Sequence, residues 1–351
     1  MLGVIAWFGT AFAQEVVAEG LNNPMGVLAM PDGSVWVVDS GVGGDQEIET
    51  VDPNTGEATI ATVGMTSQVV RIGPDGQQSV RAMLPSVHVG QEFTGGSRLA
   101  RLGTQVFVTS GGWLGELGPD PMPMMAAVVR VDGDEPSVVA STWDIEAASN
   151  PDGFVLDSHP YGIVGGSDGN LYVADAGANT ILRVNPRTGA VELVAVMDGV
   201  PSPMPNPARD GAQETDPVPT GITQTRDGGM YVASLPGFPF LPGSAGVHAL
   251  SSDGSVTNLA GGLTVLTDLQ AAPDGTLYAV TLAEFTEQGP TPGSGAVTRV
   301  ALDGSTEVVL DGLMFPTAIA FAQNGDAYLS VNGIGAPGSG MLVRYPGLGV
   351  R

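Results

Sequence analysis

Short runs of alternating hydrophobic and polar residues recur along the chain, and six of them carry an aromatic residue at the same place. These residues are Trp36, Phe107, Tyr172, Tyr231, Tyr278 and Tyr328. Asp-Gly precedes four of the runs and Asn-Gly a fifth, whereas the second run keeps only Gly103. Such a dipeptide between two β-type runs is a strong hairpin signal because both turn residues need positive φ. Six hairpins at a long period predict a repeat architecture.

A second hairpin follows each aromatic run, and its first strand is centred on a Val-x-Arg-Val pattern. Arginine keeps one register in five of the six copies, while Ala249 stands in the other; the five are Arg71, Arg130, Arg183, Arg299 and Arg344. An arginine in the middle of a sheet can lay its stem on apolar surface and reach a carboxylate with its planar fork. We therefore expect a structural role. The alternative is a ring of substrate-binding arginines, which repulsion between clustered charges disfavours.

Two hairpins per repeat make four antiparallel strands, which is one blade of a β-propeller. The sequence thus predicts an all-β, six-bladed propeller that fills residues 14–351 as a single domain. The last repeat stops after its third strand, while residues 15–22 form a strand-like segment without a repeat of their own. We expect this N-terminal strand to pair in the last blade and close the ring, which removes an exposed sheet edge.

Insertions between the second and third strands enlarge most of the repeats. The Gly/Pro-rich segments are 41–67, 111–125, 236–246, 283–295 and 332–340, and a further loop, 201–218, links blades three and four. Strand-two-to-three loops of a propeller emerge on one face. That face is expected to hold most of the irregular surface, where binding residues concentrate.

The composition and the N-terminal segment predict where the protein is located and argue against some classes of partner. The net charge is −25, so phosphate backbones would be repelled and nucleic acid is a poor partner. The apolar run before Gln14 ends in Ala-Phe-Ala, which is typical of a cleavage site, and residues 1–13 are predicted to be the end of a secretory signal peptide. The alternative is an apolar N-terminal strand. The run is too short to span a membrane, and the absence of cysteine is compatible with a secreted monomer.

The chain resembles the ScyD/ScyE family of exported bacterial propellers. The resemblance rests on the opening, GLNNPMGVLAMPDGSVWVVDSGVGG, followed by QVVRIGPDGQQSVRAMLPS. The single repeats also look like NHL repeats and like the SMP-30/gluconolactonase-like propellers. Two blades depart from the family pattern before their first strand. Blade two has Gly96-Ser97-Arg98 where a Pro-His-Asp-like segment is expected, and blade five has Leu266-Thr267-Asp268 without the proline.

Polar residues at the ends of the two inner strands of each blade are candidates for lining the channel. The predicted channel or ligand residues are Asp39, Ser110, Tyr161, Asp175, Ser234, Asp268, Thr281 and Asn332. The gluconolactonase-like resemblance implies Ca²⁺ or another divalent cation, which needs several oxygen ligands. Asp39, Asp175, Asp268 and Asn332 could supply some of them. The other reading is that the aspartates cap strand ends by accepting bonds from backbone amides.

His159 is the best acid–base candidate among three histidines, because it stands at the start of the inner strand of blade three. The sequence favours an exported binding or scaffold propeller that presents its insertion-rich face to a small molecule or a protein partner. The alternative is a lactonase-like hydrolase that depends on a divalent metal held by the channel carboxylates.

Overall fold

The protein is described here from a computed structural model, which covers residues 13–51 and 57–350. The fold is nearly all β. Six sheets of four or more strands occur in this part of the chain, and each follows one of the sequence repeats. The predicted signal peptide lies almost wholly outside the described residues.

Each sheet is antiparallel, and its strands follow the order of the sequence, except that β4 pairs beside β5 in sheet 1 and β1 completes sheet 6. Strand β1 is Glu15–Leu21. Sheet 1 contains β2 (Pro24–Ala29), β3 (Val35–Asp39), β4 (Gln46–Val51), β5 (Ala58–Ile72), β6 (Gln78–Val89) and β7 (Glu92–Thr94). Sheet 2 contains β8 (Gly96–Leu102), β9 (Gln105–Ser110), β11 (Ala127–Arg130) and β12 (Ser137–Ser141), and the short β10 (Trp113–Leu114) pairs with β13 (Asp157–Ser158).

The later sheets are more regular. Sheet 3 contains β14 (Pro160–Gly165), β15 (Leu171–Asp175), β16 (Thr180–Val184) and β17 (Val191–Val196), and is followed by the hairpin of β18 (Val200–Asn206) and β19 (Ala212–Thr215). Sheet 4 contains β20 (Pro219–Gln224), β21 (Met230–Ser234), β22 (Ala245–Leu250) and β23 (Val256–Leu263). Sheet 5 contains β24 (Leu266–Ala271), β25 (Leu277–Thr281), β28 (Gly295–Val300) and β29 (Thr306–Leu313), with the small hairpin β26 (Phe285–Thr286) and β27 (Gly289–Pro290) between its two halves. Sheet 6 contains β30 (Ala318–Phe321), β31 (Ala327–Val331) and β32 (Gly340–Tyr345).

Strand β1 pairs with β32 and so supplies the fourth strand of sheet 6. Its inward-facing Ala18 and Leu21 are buried in the same apolar cluster as Val27 and Ala318. The first strands of the sheets contact one another in the cycle β2, β8, β14, β20, β24, β30 and back to β2. Apolar clusters fill the spaces between neighbouring sheets, so the core is divided among the interfaces.

The five repeated arginines stand directly opposite the aromatic residues of the neighbouring strand, as Trp36 opposite Arg71 illustrates. Each arginine forms an ion pair with a carboxylate of its own sheet or of β1. The pairs are Arg71–Asp32, Arg130–Asp132, Arg183–Glu192, Arg299–Glu307, Arg344–Asp326 and Arg344–Glu15. The contact predicted for these arginines, a carboxylate reached by the guanidinium fork, is therefore present in all five sheets.

Some of the insertions are more regular than the irregular loops that their Gly/Pro content predicts, whereas 236–244 and 332–339 contain no strand. Segment 41–67 extends sheet 1 outwards, because β5 runs for 15 residues and pairs with both β4 and β6. The link between sheets 2 and 3 contains a helix, α1 (Trp143–Ser149), which buries Trp143 and Glu146. A helix of seven residues is too short to be recognised by its periodicity. Single-turn 3-10 helices occur at Gly115–Leu117, Pro207–Arg209 and Leu348–Val350. Among the described helices, none has the length and apolar character needed to cross a membrane.

Deleting residues 15–21 should lower the thermal midpoint of unfolding sharply. The deletion removes the partner of β32, exposes its backbone groups and takes the side chains of Ala18 and Leu21 out of the core. Differential scanning calorimetry measures the change. Glu15→Ala is the matched control, because it removes only a partly exposed ion pair worth less than about 1 kcal/mol. An unchanged midpoint in the deletion variant would show that β1 contributes nothing to the fold.

Candidate ligand site and central channel

Glycine allows the first strands to approach one another closely around the centre. The third residue of the first-strand segment is glycine in sheets 1, 3 and 4. A Cβ atom on Gly162 would collide with the carbonyl of Thr220, and one on Gly221 would collide with the backbone of Leu269. The equivalent residues of sheets 2 and 5 are Arg98 and Asp268. Two large polar side chains therefore project where the other sheets have none.

The guanidinium of Arg98 occupies the centre of the ring of first strands. Its Nη1 donates to the carbonyls of Met25 and Ser97, and its Nη2 donates to those of Thr267 (2.6 Å) and Thr317 (2.7 Å). It therefore connects the first strands of sheets 1, 2, 5 and 6. The guanidinium carbon also lies 4.5 Å from the ring centre of Tyr161 on sheet 3, within cation–π range.

Asp268 provides the countercharge for this arginine. Its Oδ1 lies 3.5 Å from Nε of Arg98, and both side chains are almost completely buried. The same carboxylate accepts hydrogen bonds from the backbone N–H groups of Leu269 (2.9 Å) and Ile319 (2.9 Å). Strand register places Asp268 level with Gly26, whereas Thr267 is the residue level with Tyr161. Of the two predicted channel residues, Asp268 therefore lies one position further along its first strand than Tyr161 does.

The aspartates that end the second strands are held by backbone amides. Asp39 accepts hydrogen bonds from the N–H groups of Gln68 (2.8 Å) and Asn22 (3.4 Å). Burial nevertheless raises its pKa to about 7. Asp175 accepts from the N–H groups of His159 (2.6 Å) and Ala178 (3.2 Å) and from the hydroxyl of Ser158 (2.7 Å). Both side chains make the strand-capping contacts that the sequence offered as the alternative to metal binding.

The other predicted channel residues also belong to local contacts. Oγ of Ser234 lies 3.1 Å from Nε2 of His248, a Ser–His pair that the sequence did not reveal. Asn332 donates to the carbonyl and hydroxyl of Ser339 within its own loop. Ser110 is buried, and its hydroxyl has no hydrogen-bond partner among the described residues; Thr281 is largely buried at the end of β25. The structure does not bring these residues together at one point.

A mainly apolar cavity of about 250 Å³ lies among the insertions of sheets 1 and 2. Val87 and Val89 of β6 form one side, and Trp113, Met122 and Met125 contribute to the other. The indole N–H of Trp113 donates to the carbonyl of Gly118 (2.9 Å), which fixes the ring. A second cavity of about 340 Å³ lies beside the loop before β13, and Phe154 and Asp216 contribute to its lining.

Asp157 and His159 line both cavities. They stand two residues apart in an extended segment, so their side chains share one side of it while Ser158 points to Asp175 on the other. Burial lowers the pKa of His159 to about 4, so the imidazole is neutral near pH 7. Burial and the carboxylates of Asp175, Asp152 and Asp216 raise the pKa of Asp157 to about 8. The sequence singled out His159 but missed Asp157, because Asp157 lies in a link without a repeat equivalent.

Glu146 of α1 lies behind this pair and is only 1% exposed. Among the described residues, no hydrogen bond of ordinary geometry reaches its carboxyl oxygens, and the backbone N–H of Asp157 offsets the burial only in part. Burial, together with the carboxylates of Asp152 and Asp175, raises the pKa of Glu146 to about 8. The site therefore combines an apolar cavity with a neutral histidine and two carboxyl groups that hold their protons near neutral pH. Convergence of such groups on a cavity is typical of ligand and active sites.

Known proteins with similar structures share this fold, and one family model matches part of the chain. Residues 162–333 match the family model described as the SMP-30/Gluconolactonase/LRE-like region. This part of the chain carries the SMP-30/gluconolactonase-like pattern. No curated protein matches the chain with significant sequence similarity.

Three solved structures illustrate the likeness of fold. A gluconolactonase from Xanthomonas campestris has 12% identity and a TM-score of 0.57, with 96% of this chain and 90% of that chain covered. The PQQ-bound aldose sugar dehydrogenase of Streptomyces coelicolor has 14% identity and a TM-score of 0.57, with 95% and 97% covered. Regucalcin from Agrobacterium tumefaciens, a calcium-binding protein, has 13% identity and a TM-score of 0.52, with 95% and 93% covered. At these identities the likeness establishes a β-propeller fold and nothing about activity.

The gluconolactonase-like pattern raises the question of a divalent cation in the channel, and the side chains at the centre do not fit one. A hard cation needs several oxygens directed at one point. Here the converging oxygens of Met25, Thr267, Thr317 and Asp268 are directed at the guanidinium of Arg98. Within the described ranges, no three histidine, cysteine, aspartate or glutamate side chains form a group that could hold a metal ion. The protein supplies its own cation at this position.

Arg98→Met should lower the free energy of unfolding by about 3–5 kcal/mol, because it leaves Asp268 buried without a countercharge. Chemical denaturation measures the loss. Arg101→Met, on the same strand but exposed at its end, is the control and should change stability by less than about 1 kcal/mol. Adding Asp268→Asn to Arg98→Met should recover part of the loss. Equal effects of Arg98→Met and Arg101→Met would contradict this account of the centre.

Glu146→Gln should weaken the dependence of stability on pH. The folded protein keeps the Glu146 proton up to about pH 8, whereas an unfolded chain releases it near the usual value of 4.5. Raising the pH between these values therefore lowers the free energy of unfolding of the wild type. Thermal midpoints measured from pH 5 to pH 8 should fall less in Glu146→Gln than in the wild type. Asp144→Asn, on the exposed side of the same helix, should keep the wild-type slope.

Proposed function

We propose that this chain is an exported, six-bladed β-propeller of the ScyD/ScyE type that binds a small ligand on its insertion-rich face. The number of blades is supported by the six sheets that follow the six repeats. Closure is supported by the pairing of β1 with β32 and by the cycle of contacts between first strands. The ScyD/ScyE assignment rests on the opening sequence motif. Export rests on the signal-like segment 1–13 and the absence of cysteine.

One observation carries the ligand-binding proposal, namely the apolar cavity whose lining shares Asp157 and His159 with the second cavity. An apolar lining with a few converging polar groups is the usual composition of a small-molecule site. The centre of the ring offers less space to a ligand, since Arg98 and its carbonyl partners occupy it. The insertions of sheets 1 and 2 build the cavity, so the segments that enlarge the repeats also supply the function.

Binding can be tested with the neutral fluorescent probe N-phenyl-1-naphthylamine, whose emission rises in apolar surroundings. Wild-type protein should give saturable fluorescence. Val89→Trp fills part of the cavity and should weaken the affinity for the probe at least about tenfold, a loss of about 1.4 kcal/mol. Val138→Trp, on the exposed outer strand of sheet 2, is the matched control and should bind as the wild type does. Equal binding by the two variants would place the probe elsewhere and refute the cavity as the site.

The second candidate is a divalent-metal hydrolase of the lactonase type, which the family pattern over residues 162–333 favours. The geometry supports this candidate less, because the predicted metal ligands Asp39, Asp175, Asp268 and Asn332 each bind local partners and do not converge. The two candidates predict different results for the protein melted first in chelator and then in millimolar Ca²⁺, Mg²⁺, Mn²⁺ or Zn²⁺. A metal that binds the native state raises the thermal midpoint. The binding propeller predicts no shift and no hydrolysis of gluconolactone, whereas a shift that Asp175→Ala abolishes would favour the hydrolase.

A further inference from the structure

Five carboxyl groups lie around the second cavity or behind it, and three of them belong to the link between sheets 2 and 3. They are Glu146, Asp152, Asp157, Asp175 and Asp216. Three of them have good partners. Asp152 accepts from Nδ2 of Asn179 (2.8 Å) and Asp216 pairs with Arg209 (2.9 Å), while backbone amides hold Asp175. Glu146 and Asp157 have neither a hydrogen-bonding side chain nor an ion pair in the described ranges.

Positive charge is scarce in these surroundings. Arg209 reaches the cluster, but its guanidinium is shared between Asp216 and Glu214 and stacks 4.1 Å from the ring centre of Phe154. His159 is neutral. Two carboxyl groups are therefore confined among like charges without a cation, and one of them is almost completely buried. A buried carboxyl group without a partner costs free energy that a bound cation would recover.

We propose that the ligand of the shared site is an organic ammonium ion with an apolar body. This proposal rests on the proposed ligand-binding function and names the class of ligand. The ammonium group would lie at Asp157, where the two cavities meet, and the apolar body would fill the cavity beside Trp113 and Met122. An ammonium ion needs only one or two carboxylates, whereas a divalent metal needs a compact group of ligands, which the described part of the chain does not provide. The carboxylates of Asp152 and Asp216 add negative potential around Asp157, and a bound cation would favour its ionised form.

The ligand class can be tested with three compounds that share one aromatic body. 1-Naphthylmethylamine is a cation at neutral pH, 1-naphthalenemethanol is neutral and 1-naphthoate is an anion. Each is titrated against wild-type protein saturated with N-phenyl-1-naphthylamine, and displacement is followed by fluorescence. The amine should displace the probe at a concentration at least about tenfold lower than the alcohol, and the carboxylate should be the weakest.

The variant Asp157→Asn tests whether Asp157 causes the preference for the amine over the alcohol. This variant should lose most of the preference for the amine over the alcohol while it keeps the affinity for the alcohol. Asp120→Asn, on an exposed part of the neighbouring insertion, removes the same charge away from the cavities and should keep the preference. A preference that survives in Asp157→Asn would overturn the assignment of the ammonium group to this residue.

The wild-type titrations alone can overturn the proposal, so it does not depend on whether Asp157→Asn folds. Equal displacement by amine and alcohol would overturn the ligand class and leave the cavity as a binding site. Failure of the probe and of all three compounds to bind would overturn the proposed function together with this inference.

Discussion

The arrangement of the six sheets depends on one buried cation. Arg98 reaches the carbonyls of four first strands and the ring of Tyr161 on a fifth, and it is countered by Asp268 from the opposite half of the chain. The three glycines at the equivalent positions provide the necessary space. First strands that approach so closely leave carbonyl groups directed at the centre, and unpaired carbonyls in a buried centre are unfavourable. A guanidinium with five donors satisfies several of them at once.

This central pair also explains how an extremely acidic chain distributes its few basic residues. Five of the twelve arginines form the repeated partly exposed ion pairs, which contribute little stability individually but cover the aromatic residues opposite them. Arg98 is committed to the centre and Arg209 to one side of the acidic cluster. Few basic groups are then left for the carboxyl groups around α1. Glu146 and Asp157 form no ion pair among the described residues because of the segments around them, not because of the net charge of the whole chain.

The repeats made the sheets predictable, because the aromatic strand occurs six times and its turn signal five times, and every copy supports the others. The capping roles of Asp39 and Asp175 could also be predicted from the sequence, since each residue stands at the end of a strand. The pairing of Arg98 with Asp268 could not be predicted, although blades two and five both depart from the family pattern at these residues. Their contact is made across the centre between residues 170 positions apart, and local pattern carries no information on such a contact. The candidate cavity was even less predictable from the sequence, because α1, Asp157 and Trp113 lie in segments that are not repeated along the chain.

The pairing of β1 with β32 has a consequence for biosynthesis. During synthesis β1 emerges before the other described strands, whereas its partner β32 emerges last among them. Until then Ala18 and Leu21 have no core to enter, and the backbone groups of β1 are available to other chains. Pairing of β1 with β32 is thus a late and highly non-local step of folding. Chaperones that shield β1 during this interval would protect the protein at its most vulnerable stage.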